Sequence, residues 1–398
     1  MSSSSLDQRA LIEEIIRRLR TVLGEARTPV LLHQPLFAGN ESKYIQQCID
    51  TGWVSSAGSF VTQLEHQLAQ FTGARHAIAV VNGTAALHIA LMLAGVERDS
   101  EVLMPSLTFI ATANAAAYCG AVPHFCDVSL RTLGIDAARL DDHLALVAEL
   151  RPEGCINHRT GRRIAAVVPM HTFGHPVNLS KLLEVAAKWH IPVVEDAAES
   201  LGSYYRQKHT GTFGGLGILS FNGNKTVTTG AGGAILTDDD DLARRARHIT
   251  TTAKAPHPWE YVHDELGYNY RMPNLNAALG CAQLEKLPEL LDRKRRLAHA
   301  YAQAMADLSG VSLFVEPPDC KSNYWLNALV LDRADFDLRD QLLAALNAAN
   351  LQSRPIWRPM QQLPMYRDCP RMDLSTTEDL AARIVNIPSS PGLVRPSN

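Results

Sequence analysis

The chain has no Cys-x-x-Cys pair. Its seven cysteines, Cys48, Cys119, Cys126, Cys155, Cys281, Cys320 and Cys369, are dispersed. That spacing argues against a metal cluster and against a disulfide framework, and an odd, scattered set suits a reducing compartment. No apolar run is long enough to span a bilayer, so no membrane partner is expected. The opening MSSSS lacks the basic n-region of a secretory signal, which makes the cytoplasm the default. Charge of either sign is not in excess. A formal net charge of -3 over 398 residues gives no footing for nucleic acid. Internal repeats are missing too. What remains is 46% hydrophobic and 20% charged residues, an ordinary globular composition, with length for one large domain and a smaller companion.

The hydrophobic pattern predicts an amphipathic helix over 6–23, where Leu11, Ile12, Ile15, Ile16, Leu19, Val22 and Leu23 recur at helical spacing. Ser5 with Gln8 is a candidate capping box and Gly24 a candidate terminator. Such a helix must dock, on the body of the protein or on a partner. From residue 77 strands and helices alternate: strands over 77–81, 101–104, 122–128, 163–169 and 192–195, helices over 85–94, 109–118 and 179–189. Near-continuous apolar strands alternating with helices predict an α/β core with a largely parallel sheet covered on both faces. A long helix over 274–306 is interrupted in the pattern by Pro288, and a strand at 325–331 and a helix at 338–349 suggest a smaller C-terminal domain. In such sheets ligands gather at the carboxyl ends of the strands.

The residues at those ends therefore carry the functional reading. The segment SFNGNKTVTTGAGG, Ser220 to Gly233, lies between two apolar runs and holds one lysine, Lys225. Glycine, threonine and asparagine allow the tight turns and close approach a ligand loop needs. A lysine fixed there is placed as a Schiff-base lysine would be, although alone it reads equally as a surface lysine beside a hairpin. Asn82-Gly83-Thr84-Ala85 follows the first strand and opens a helix, either as an anion cradle or as a plain turn capped by Thr84. Phe109 follows the second strand, at a cofactor rim or in the core. Glu195 and Asp196 end an apolar strand, where acids are costly without a partner. No His or Cys stands at ligand spacing beside them, so no metal is expected. His171 follows another strand, facing a ligand or satisfied by backbone.

Taken together and in order, AVVNGTAALHIAL, MPSLTFIATANA, VPMHTFGHP, VVEDAAESLGS, SFNGNKTVTTGAGG and LGYNYRMPNLNAALG resemble the DegT-type nucleotide-sugar aminotransferases, within the fold-type I pyridoxal phosphate (PLP) enzymes. The likeness runs from about residue 35 to residue 391. It implies an N-terminal helix and arm at 1–34, and a large PLP-binding α/β domain at 35–270 with a mostly parallel sheet flanked by helices. A linking helix and a small C-terminal α+β domain would fill 271–398. It implies pyridoxal 5'-phosphate as cofactor, with Lys225 forming the Schiff base and shuttling the proton. Asp196 pairs with the pyridine nitrogen. Thr84 and Ala85, next to Gly83, bind the phosphate through backbone with help from Ser220, and Phe109 stacks on the ring. Asn269 reaches the phosphate from a neighbouring subunit, which makes a homodimer part of the site.

Glu199 stands where the family often has Gln or His, near the phenolic oxygen, and a second carboxylate fits there only if one of the pair holds a proton. Gly215 and Gln361 replace an Asp and a His that are common in the family. Substrate contacts are expected from Trp53, Val54, Ser55, His171, Arg271, Arg354 and Trp357. The implied substrates are glutamate and a nucleotide-linked 4-keto-6-deoxy sugar. The flanks GNESKYIQQCIDTGWVSS and SFNGNK look most like the UDP-sugar branch of the bacillosamine and legionaminic acid pathways. Two rivals are a sugar dehydratase of the same fold, where the family pattern has histidine in place of Lys225, and a non-catalytic regulator, against which Lys225 and Asp196 together speak.

Overall fold

Seven strands carry the core: β1 (His76–Val80), β2 (Glu101–Pro105), β3 (Val122–Cys126), β4 (Arg162–Val167), β5 (Val194–Asp196), β6 (Leu216–Ser220) and β7 (Gly233–Thr237). The computed structural model describes residues 3–24 and 28–394. Across the sheet the order is β1-β7-β6-β5-β4-β2-β3, with β5 and β4 joined by the parallel bridges Val167↔Val193 and Met170↔Asp196. Every neighbouring pair is parallel except those of β7, which is antiparallel to both β1 and β6. All residues of β2 and β7 are buried, as a sheet covered on both faces requires. The expected α/β core with a mostly parallel sheet is the one present. An antiparallel hairpin, Ala148–Arg151 with Gly154–Asn157, extends the sheet beyond β4. Its first strand, Ala-Glu-Leu-Arg, is largely exposed, and its four residues are too short a pattern to announce it.

Four helices matter for the site: α1 (Ser3–Leu23), α2 (Gly83–Leu93), α3 (Ile110–Tyr118) and α4 (Asn274–Met305). The helix α1 begins before Ser5, so Ser5 lies inside it rather than at its start. Gly24 ends it at φ +77, a left-handed turn that suits a residue without Cβ. Ile12, Ile15 and Leu19 pack on Leu297, Tyr301 and Met305 of α4, so the helix docks on its own chain. Pro288 does not interrupt α4, which runs 32 residues through it. A proline removes one backbone bond and crowds the preceding turn. Here Leu284, Leu287 and Leu290 are buried on either side, and packing holds the helix across the defect.

A second, antiparallel sheet is formed by Val311–Leu313, Asn327–Leu331, Ile384–Ile387 and Arg354–Pro355, in that order. The helix Phe336–Ala348 packs beside it, capped by Asp335, whose Oδ1 accepts from the Leu338 amide at 2.9 Å. The strand expected at 325–331 starts two residues later, at Asn327. That leaves Trp325 on the connection leading into the second sheet, facing the carboxyl ends of the first.

Candidate active site

Five segments of the large sheet, joined by Trp325 and Trp357 from beside the second sheet, converge at the carboxyl edge around a cavity of about 330 Å³. That volume is at the lower end of what small-ligand sites occupy. Gly83, Thr84, Phe109, Asp196, Glu199, Ser220, Lys225 and Trp357 all line it. Each comes from the end of a strand or the turn after it, because β7 alone runs backward and brings Gly233 beside Val80 and Ser220 at the same edge.

The helix cap differs from expectation. Asn82, not Thr84, caps α2: its Oδ1 accepts from the Ala85 amide at 2.7 Å. The amides of Gly83 and Thr84 have no partner among the described residues, while that of Ala85 is engaged. The first two amides are therefore the ones free to take an anion, with the helix dipole behind them. Gly83 is required by closeness. A Cβ there would lie 2.9 Å from the Ser220 Cβ. Gly83→Val should narrow the cradle, weaken PLP binding at least about tenfold, and destabilise the protein by about 1–3 kcal/mol, measured by cofactor titration and thermal melting.

Phe109 is not core. It precedes α3, is 50% exposed, and lies 6.4 Å from the Trp357 ring in an edge-on arrangement. Below it Asp196 is buried. Thr112 Oγ1 donates to its Oδ2 at 2.7 Å and the Ala198 amide to its Oδ1 at 3.2 Å. Burial raises the Asp196 pKa, against those two donors. The neighbouring Glu195 faces the opposite side of the strand. It accepts from His171 Nε2 at 3.0 Å and from the amides of Gly211, Phe213 and Gly214. His171 is thus fully buried, paired with Glu195, and does not line the cavity.

Lys225 and Glu199 form an ion pair in the cavity. Lys225 Nζ lies 3.3 Å from Glu199 Oε1 and 3.8 Å from the centre of the Trp325 ring. The Phe173 amide donates to Glu199 Oε2 at 2.9 Å. Burial pushes Glu199 up to about 7, with the charge of Asp196 adding to it and Lys225 and the Phe173 amide opposing. A carboxyl whose folded pKa is raised stabilises the fold fully below its unfolded value, and that stability is lost as pH rises through the folded one. The cofactor-free protein should therefore lose about 2 kcal/mol between pH 4.5 and pH 7 on account of this group, and Glu199→Gln should flatten the loss. Urea unfolding across that range reads it directly.

Other expected residues lie elsewhere in the chain. Trp53, Val54 and Ser55 are exposed and held by Asn274, whose Nδ2 donates to the Trp53 carbonyl at 2.7 Å. Arg271 pairs with Glu65, and Arg354 is exposed. Asn269 is exposed next to Thr251. None of these lines the cavity. Gln361 is buried and accepts from Ser106 Oγ, while a Cβ on Gly215 would meet open space. Sequence reasoning missed Thr112 and Trp325. Thr112 had a signal, three residues after Phe109 on one helix face; Trp325 had none.

The residue set fits a pyridoxal phosphate. It offers free amides at a helix start, a buried acid with no cation of its own, and a lysine across the cavity. The comparisons agree. The model of the DegT/DnrJ/EryC1/StrS aminotransferase family matches residues 36–397. The chain belongs to this family. It is a PLP-dependent sugar aminotransferase. It is 38% identical over 362 residues to a GDP-perosamine synthase of Caulobacter vibrioides, covering 90% of this chain and 92% of that one. With a GDP-perosamine synthase of Escherichia coli O157:H7 the identity is 34%, over 91% and 93%. Among solved structures, the aminotransferase TlmJ of Streptoalloteichus hindustanus superposes with a TM-score of 0.82 at 28% identity, over 92% and 95%.

Proposed function

We propose that the enzyme moves an amino group from glutamate to the C4 ketone of a nucleotide-linked 4-keto-6-deoxy sugar, in making a surface-polysaccharide precursor. The observation that carries this reading is the placement of Lys225, Asp196 and the free amides of Gly83 and Thr84 around one cavity. Bound PLP supplies the electron sink. The chain supplies the rest. Gly83, Thr84 and Ser220 hold the phosphate, and Asp196 keeps the ring nitrogen protonated. Lys225, once displaced, moves the proton between the cofactor's methylene carbon and the sugar carbon. One site serves both half-reactions, so the kinetics are ping-pong.

The sequence flanks point to a UDP sugar; the two GDP-perosamine synthase relatives favour a GDP sugar, which we adopt. A homodimer completes the site in this reading. Asn269 is exposed in this chain, close to a hairpin that displays Trp259, Tyr261 and Leu266 to solvent. Seven unpaired cysteines suit the cytoplasm. The test is a panel of GDP-, UDP- and dTDP-linked 4-keto-6-deoxyhexoses, each added to enzyme bleached with glutamate. The visible band should return fastest with the GDP sugar. If none of the three restores it, the sugar assignment is wrong.

A further inference from the structure

Trp325 is held at three points, one on its indole and two on its backbone. Its Nε1 donates to the Asn224 carbonyl at 2.7 Å and its amide to Asn323 Oδ1 at 2.8 Å. Its carbonyl accepts from Lys294 Nζ at 3.1 Å. Lys294 is itself fully buried on α4, with no carboxylate partner among the described residues. Its other contacts are the Ser389 carbonyl at 2.7 Å and His33 Nε2 at 2.9 Å. A neutral amine satisfies all three contacts. Two hydrogens go to the two carbonyls, and the lone pair accepts from His33 Nε2–H. In that tautomer the unpartnered His33 Nδ1 is a bare lone pair, which costs less than a buried N–H. Burial pushes Lys294 in the same direction, well below an ordinary lysine.

Lys294 thus anchors the Trp325 backbone without bringing a second cation to the ring, whose face meets Lys225. That face lies 3.8 Å from Lys225 Nζ. An ammonium over an indole is held by the ring quadrupole, most strongly where water is excluded, and Trp325 is 5% exposed. We propose that Trp325 is a catalytic residue of this enzyme: its face seats the Lys225 ammonium each time the lysine is displaced from the cofactor, and Lys294 holds that face in place. The proposal rests on the transaminase reading above. Lysine must be released and recaptured in each half-reaction, and a fixed seat keeps it within reach of the proton it carries.

The test needs no sugar and no turnover. Full-length protein loaded with pyridoxamine 5'-phosphate is acetylated with acetic anhydride across a pH series, and labelling of the Lys225 peptide is quantified by mass spectrometry. Only neutral amine reacts. Glu199, Asp196 and His33 are the titratable groups within electrostatic reach of the amine, and they are common to all variants. Trp325→Leu should move the labelling midpoint down by about half a pH unit or more, and Trp325→Phe by less. Lys294→Met should shift it in the same direction. If labelling of Trp325→Leu, or of Trp325→Phe should the leucine variant not fold, is merely faster by one factor at every pH, the indole is a steric cover and the proposal fails. A negative sugar panel would leave this result standing, and the converse holds too.

Discussion

Lys225→Ala is expected to lower amino transfer at least about 10³-fold, even with PLP in excess, because in the proposed reaction one residue serves as both covalent anchor and proton carrier. The visible band of the lysine-bound cofactor should vanish with it. Charge and nucleophile can be separated here. Lys225→Arg keeps a cation 3–4 Å from Glu199 and the Trp325 face, yet an arginine cannot form the Schiff base. Both variants should be equally inactive, while only the alanine variant leaves Glu199 without its cation. An alanine variant that turns over a ketosugar within tenfold of wild type would remove Lys225 from the mechanism.

The order of strand-end motifs was readable because it follows from parallel topology: each strand's carboxyl end delivers a short segment to the same edge. The alternation of apolar runs put Asp196, Phe109 and Lys225 near strand ends, but it left Phe109 open between rim and core and Lys225 between ligand loop and surface, and only the family likeness chose between them. What the pattern concealed was anything set by side-chain rotation or by a distant segment. His171 follows a strand as a ligand would, but its ring turns toward Glu195, which the pleat directs away from the cavity. Thr84 reads as a cap from its residue type, yet the cap is Asn82, two residues earlier in extended backbone, with its Oδ1 on the Ala85 amide. Trp325 sits 100 residues after Lys225 in a stretch with no motif, and only the docking of the second sheet brings the two together. Pro288 was read as a break because local propensity says so; packing by Leu284, Leu287 and Leu290 overrode it. Trp53 to Ser55, Asn269 and Arg354 face solvent away from the cavity of their own chain, and only the proposed homodimer would give them a part in a site.

Asp196→Asn separates function from fold. The substitution keeps the shape and can still meet Thr112 and the Ala198 amide, but it cannot hold a proton on the ring nitrogen. Turnover should fall about 10²–10³-fold, with the change in kcat and little in KM, because the lost interaction matters most as charge develops on the ring. Stability should go the other way. Asp196 is buried beside Glu199 with a raised pKa, so in the cofactor-free protein its ionisation costs stability as pH rises through the folded value. Asparagine carries no such charge. The cofactor-free variant should therefore be at least as stable as wild type at pH 8, and bound PLP should add less to its melting temperature. A variant that unfolds more readily than wild type at pH 8 without cofactor would make Asp196 a structural acid, and the case for a pyridine ring lying against it would lose its anchor.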